Sequence, residues 1–214
     1  MSEFHVSSPK HCAKQGFKYK KLLYTIFTLL TSLILLALLI WFIIHPTKPN
    51  FSLKETNIDQ LMALSSSPST PPQLLNSSIQ LTLISTNPNQ KLGIYYDQLQ
   101  IYASYKGQQL TSPSPLPSFY QGHQDINVLT ALLVGAAIPI DPSFVFEVEH
   151  DLAVDGTLLV DIKAHGRLRW KIGTWVSSRY GFSISCSATM AFPSGVNGGY
   201  PLSLKKATQC STAV

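Results

Sequence analysis

Leu22 to Ile44, LLYTIFTLLTSLILLALLIWFII, is an unbroken apolar run without a charged residue, and it limits everything else the chain can be. A helix rises about 1.5 Å per residue, so this run is long enough to cross the roughly 30 Å hydrocarbon core of a bilayer. A cleaved signal peptide has an apolar stretch of only about 7–15 residues followed by small residues at the cut. Here Ile43, Ile44, His45 and Pro46 follow, which reads as an uncleaved anchor. Only scattered Thr and Ser interrupt the run, whereas a helix buried in a soluble core keeps a polar stripe.

The charges on either side give an orientation. Lys10, Lys14, Lys18, Lys20 and Lys21 precede the helix, opposed by Glu3 alone, while Lys48, Lys54, Glu55 and Asp59 nearly balance after it. The positive-inside rule then puts residues 1–21 in the cytosol and residues 45–214 outside the cell or in a secretory lumen. The tail has net charge +4, and the remaining eleven Lys and Arg face ten Asp and Glu. The basic pI is therefore a property of the tail. It fits anionic headgroups or a plain topology signal, and not nucleic acid.

Cysteine usage agrees with this placement. Cys12 falls on the cytosolic side, and Cys186 and Cys210 on the oxidising side, where a bridge between them is expected; two buried free thiols are the alternative. Two glycosylation sequons, at Asn50 and Asn76, also lie beyond the helix. Asn50 is close to the bilayer, and Asn76 is the better acceptor provided that it occupies a loop.

Pro46 and Pro49 break any continuing helix. Phe51 to Leu64 reads as a first strand whose alternation breaks midway, as at a bulge. Ser65 to Gln73, SSSPSTPPQ, reads as a loop. From Leu74 onward alternation recurs: Ile79, Leu81, Leu83; then Leu99, Ile101, Ala103, Tyr105; then Leu158, Val160, Ile162, Ala164; then Leu168, Trp170, Ile172; then Phe182, Ile184, Cys186. Asp125 to Val134 reads as a buried strand. Asn87-Pro88-Asn89 and Lys106-Gly107 mark turns, with the asparagines suited to left-handed backbone. Asp141-Pro142 favours a short helix from Pro142 to about Leu152, against a competing strand-like alternation of Phe144, Phe146 and Val148. The spacing predicts an all-β sandwich of one domain with one added helix.

At Asn87 to Asp97, NPNQKLGIYYD, the sequence resembles the plant NHL family, the harpin-induced-like, late-embryogenesis-abundant group-two proteins. The resemblance continues at Pro117 to His123, PSFYQGH, and at Arg169 to Trp175, RWKIGTW, with Tyr180, Cys186 and Cys210 at fitting distances. It implies an immunoglobulin- or fibronectin-like antiparallel β-sandwich with one helix, anchored at the plant plasma membrane and associated with defence and stress responses. It carries over no catalytic residue. Of the aromatics in these motifs, Tyr95 and Tyr96 should face opposite ways, and Trp170 and Trp175 read as core.

No reactive constellation stands out. CxxC, HExxH, GxSxG, a P-loop and GxGxxG are all absent from the sequence, and His123, His150 and His165 lack ligand spacing. Glu147, Glu149, Asp151 and Asp155 form an acidic cluster without the glycine-containing loop of a dedicated calcium site. No catalytic, cofactor or metal residue is therefore assigned. The surface feature that stands out is Arg167, Arg169 and Lys171, alternating with Leu168, Trp170 and Ile172. With the apolar set inside, the cations form a row on the outer face, either an anionic contact or a solvated guard against edge pairing. The expectation is a non-enzymatic single-pass plasma-membrane protein whose outward sandwich is an interaction module, with the bilayer and defence-signalling proteins as partners. Association of chains through their helices stays open. The rivals are a lipid-binding or membrane-tethering module and a wall-facing hydrolase.

Overall fold

A computed structural model describes residues 12–44, 46–64, 73–192 and 201–214. The expected loop Ser65 to Gln73 lies outside the described residues except for Gln73, as does the first half of the expected tail. The elements, in chain order, are helix α1 (Cys12–Ile44); strands β1 (Asn50–Leu64), β2 (Gln73–Thr86), β3 (Gly93–Tyr105), β4 (Gln108–Gln109), β5 (Ser114–Pro115), β6 (Phe119–Gln121) and β7 (Ile126–Ile140); helix α2 (Phe144–Val154); and strands β8 (Thr157–Ile172), β9 (Trp175–Val176), β10 (Tyr180–Ala191), β11 (Leu202–Leu204), β12 (Thr208–Gln209) and β13 (Ser211–Ala213). The chain divides into two units, Met1–His45 and Pro46–Val214.

In the first unit, α1 begins at Cys12 and not at the expected Leu22, because Ala13, Lys14, Gln15 and the later lysines are good helix formers. Tyr19–Leu39 is long and apolar enough to cross a membrane, and none of its side chains is buried in protein. A membrane anchor and a signal sequence both fit such a helix. The hydroxyls of Thr25 and Thr31 donate back to the carbonyls of Leu22 and Thr28, at 2.8 and 2.9 Å, so they do not present unsatisfied polar groups to an apolar surrounding.

The second unit is one antiparallel sheet of order β4-β3-β8-β10-β11-β1-β2-β7, with β5 and β6 on β3, β9 on β8, β12 on β1 and β13 on β10. It curls so that strands far apart in this order meet through their inner faces. Phe51 of β1 lies edge-on to Tyr96 of β3 at 6.0 Å and stacks with Phe182 of β10 at 6.4 Å. The result is a sandwich on its way to a barrel, filled by residues such as Leu53, Ile79, Leu81, Leu99, Ile101, Val160 and Leu168, all at 0–1% exposure. The break in β1 is real: its register with β2 shifts between Leu53 and Glu55 and again between Ile58 and Gln60. Lys106 and Gly107, with φ of 46° and 89°, close the β3–β4 hairpin as a turn of the primed kind.

Several expectations need correction. The two strands read at Leu158 to Ala164 and Leu168 to Ile172 are a single sixteen-residue β8, because Gly166 keeps the inward parity between them. A Cβ there would stand 3.1 Å from the Leu99 Cα, so the missing side chain lets β3 approach. The stretch Asp125 to Val134 is not buried on both faces. As the last strand in the order, β7 turns Ala131 and Leu133 inward but leaves Ile126, Val128, Leu132 and Val134 at 50–63% exposure. Trp170 is core at 6%, whereas Trp175, at the tip of the β8–β9 hairpin, is 58% exposed.

The helix reading at Asp141-Pro142 holds with a start two residues later. The Asp141 Oδ1 accepts the Ser143 N–H and its backbone oxygen accepts the Phe144 N–H. Phe144 and Val148 are buried one turn apart while Phe146 is 72% exposed, so the apparent strand alternation was a coincidence of the helical period.

Candidate interaction surface

The first two sequence motifs meet at one end of the sandwich and build a polar junction. Asn87 is fully buried; its Nδ2 donates to the carbonyls of Leu92 (2.7 Å) and Gly122 (2.8 Å), and its Oδ1 accepts from the backbone N and the Nδ2 of Asn89. Asn89 in turn grips the backbone of Thr47, accepting its N–H at 2.8 Å and donating to its carbonyl at 2.7 Å. The asparagines thus act through their amides. Neither takes the positive φ expected of such a turn.

Beside them Gln121 is wholly buried. Its Oε1 accepts from the Tyr96 hydroxyl at 3.0 Å and from the Ser85 hydroxyl at 3.1 Å, while its Nε2 donates to the carbonyls of Ser85 and Asp125. Burial pushes the Tyr96 phenol well above its ordinary value, partly offset by Ser85, so it stays a neutral donor. A buried polar network this fully satisfied fixes one arrangement of four chain segments. The motifs therefore specify the fold and present little reactive surface there.

On the outer face the third motif meets the first. Arg169 Nε and Nη2 donate to the two Asp97 oxygens at 2.8 and 3.2 Å, and Arg179 approaches the same carboxylate at 3.5 Å. Arg169, ahead of Arg179, holds the Asp97 carboxyl below its usual range. Tyr95 turns outward as Tyr96 turns inward, and its ring lies 4.7 Å from that of Tyr120. The Lys171 ammonium sits 5.0 Å from the Tyr120 centroid and 5.6 Å from that of Tyr95, with the Arg169 guanidinium 5.3 Å from Tyr95. These are cation–π distances.

Arg167, Arg169 and Lys171 thus share the outer face of β8, with Arg169 and Lys171 engaged by Asp97 and the tyrosines and Arg167 exposed. The row is longer than the motif. Continuing at every second residue past Gly166 brings in His165 and Lys163, and the unbroken parity of β8 was the signal for them. His165 Nε2 pairs with Gln100 Oε1 at 3.1 Å. A depression of about 740 Å³ opens at His165 and Arg167, and a smaller one of about 260 Å³, which Lys163 lines, adjoins it through His165, Ser183 and Ala213.

The acidic cluster is divided among neighbours. Lys106 Nζ lies 3.0 Å from Asp151 and 3.7 Å from Glu147, and the Tyr105 hydroxyl donates to Asp151 at 2.7 Å. Tyr105 first, then Lys106, holds Asp151 below the usual carboxylate range. Among the described residues no group of His, Cys, Asp and Glu is arranged to hold a metal ion.

Cys186 and Cys210 are bonded to each other with their Cα atoms 4.3 Å apart, linking β10 to the segment between β12 and β13. Asn50 begins β1 and is exposed. Asn76 lies inside β2, where its Oδ1 accepts the Ala137 N–H at 2.9 Å, so the loop setting required of it as an acceptor is not met.

Residues 82–187, from the middle of β2 to β10, match the family model described as late embryogenesis abundant protein. The chain is 46% identical to NDR1/HIN1-like protein 26 of Arabidopsis thaliana over 220 residues, covering 100% of both. It is 39% identical to NDR1/HIN1-like protein 1 of the same plant, over 88% of this chain and 90% of that protein. NDR1/HIN1-like protein 12 is likewise 39% identical, over 70% and 68%.

Proposed function

Because the chain belongs to the NDR1/HIN1-like family of plant proteins, a defence-related family, we propose that it is a single-pass plasma-membrane protein displaying its sandwich outside the cell as a non-enzymatic interaction module in defence and stress signalling. The observation that carries this reading is that one chain holds both an apolar helix long enough to cross a membrane, behind a lysine-rich tail, and a β domain closed by a disulfide. A disulfide belongs to an oxidising compartment, and a lysine-rich flank to the cytosolic side. The residues with chemical potential support binding over turnover. His150 stacks on Phe146, His165 is held by Gln100, and Asp151 is engaged by Lys106 and Tyr105.

Plants lacking the protein test the reading. Resupplying the full chain should restore the response to pathogen challenge, and a version with α1 exchanged for a cleavable leader, which secretes the sandwich free, should not. Equal restoration by the secreted form would refute the need for an anchor.

A second reading, a membrane-tethering module, is favoured by one feature, the exposed aliphatic row Ile126, Val128, Leu132 and Val134 on β7. Such a row is unusual on a solvated edge. If it enters an apposed bilayer, liposomes carrying the protein should aggregate protein-free liposomes, and Val128→Lys with Leu132→Lys should abolish the effect; no aggregation by the unaltered protein excludes the reading.

A further inference from the structure

We propose that the outer face of β3, β8 and β10 is a groove that binds a linear acidic polysaccharide, with Lys163 and Arg167 as its principal carboxylate contacts. This deepens the reading above and rests on the domain facing outward.

The charge on this face is segregated. Lys163, Arg167, Arg169, Lys171 and Arg179 stand against Asp97 and Asp161, a net +3, although the whole chain after α1 carries only +1. Asp97 is occupied by Arg169 and Arg179, and Asp161 accepts the Ser187 hydroxyl at 2.7 Å. Among the described residues neither Lys163 nor Arg167 has an acidic partner. The two lie on the same face of β8 with His165 between them, about 14 Å apart along the strand, and add positive potential to a face that has little acidic charge to offset it.

The shape favours a chain over a flat surface. Strands run in the order β5-β3-β8-β10-β13 across the face, so β5 and β13 stand about 19 Å apart at ordinary strand spacing. Pro115 and Leu116 on one side and Ala213 on the other border the depression, and buried Leu99 and Phe182 underlie it beside Gly181, which supplies no side chain to the outer face. A bilayer surface presents its phosphates in a plane and does not follow a trough.

The uncharged groups are those that sugars need. Gln100 and Ser183 flank His165 in register, and Tyr102 and Ser185 flank Lys163, giving amide and hydroxyl groups beside the first and an aromatic ring and a hydroxyl beside the second, while Arg167 is flanked by Gly181 and by Asp97, whose carboxylate Arg169 and Arg179 occupy. Positions at every second residue are about 6.8 Å apart, so Lys163, His165 and Arg167 set two cations and an imidazole in a line along the strand. The outward positions of β10 beside this row, Gly181, Ser183, Ser185 and Ser187, are small, which leaves room for a polymer on the face.

The full-length protein in nanodiscs of uncharged lipid, which leave both sides of the membrane open, tests this independently of topology. Oligogalacturonate should bind, and its fully methyl-esterified counterpart should bind about tenfold more weakly or worse. Lys163→Gln with Arg167→Gln should lower oligogalacturonate affinity by a similar factor, Lys163→Arg with Arg167→Lys should retain it, and replacing the five tail lysines by glutamine should leave it unchanged. Unchanged affinity in the double glutamine variant overturns the proposal, as does loss on altering the tail. So does a double variant that releases phosphatidylserine vesicles yet still holds oligogalacturonate, which would assign the face to a lipid surface.

Discussion

Arg169 on β8 and Asp97 on the adjacent β3 meet diagonally, two residues off register, and share two hydrogen bonds of 2.8 and 3.2 Å, joining two motifs across 72 residues of sequence. Both side chains are partly shielded, at 31% and 18% exposure. Asp97→Asn should therefore cost about 1 kcal/mol, between an exposed pair and a buried charged hydrogen bond. The folded carboxyl titrates below its unfolded value, so this stability is present above roughly pH 4 and disappears as pH falls through the lower folded value. Urea unfolding at pH 7 and at successively lower pH should show the difference between the two proteins at the first and its decline as the carboxyl takes up its proton.

Asn87 satisfies two carbonyls and two N–H groups from a fully buried position. Asn87→Ala strands the carbonyls of Leu92 and Gly122, and the loss should reach about 2–4 kcal/mol. Asn89→Ala releases Thr47 as well, so amide exchange at Thr47, whose N–H the Asn89 Oδ1 holds at 2.8 Å, should be faster in that variant than in the unaltered protein. Exchange at Thr47 no faster in Asn89→Ala would contradict the assigned clamp.

The bridge between Cys186 and Cys210 spans 24 residues of sequence. On loop-closure grounds its removal should cost about 3 kcal/mol. Cys186→Ser with Cys210→Ser should unfold at correspondingly lower urea, and mass analysis of unreduced peptides should find the two cysteines joined.

Neighbours on β7 should respond in opposite ways. Leu133→Ala empties core volume and should cost about 2–5 kcal/mol. Leu132→Lys, on the exposed face, should change stability by less than about 0.5 kcal/mol. Equal losses would mean that the outer row is covered in solution.

What the sequence made legible follows from how local each signal is. Alternation at Leu99 to Tyr105 and the Asp141-Pro142 helix start depend on neighbours within a few residues, and both could be read directly. The exposure of β7 could not, because an apolar run reads alike whether one or both faces are covered, and only the strand order puts Ile126 to Ile140 at an edge. Gly166 hid the continuity of β8, so Lys163 and His165 were missed although the parity ran through it. Gln121, Ser85 and Tyr96 meet only in three dimensions, and nothing local in Gln121 marks it as buried.

The central claim, a helix that carries the sandwich to the far side of the membrane, is tested most directly by adding protease to sealed vesicles that expose their cytosolic face. The account predicts that residues 45–214 survive as one protected fragment that becomes degradable only when detergent opens the vesicles. Digestion of that fragment in intact vesicles would contradict it.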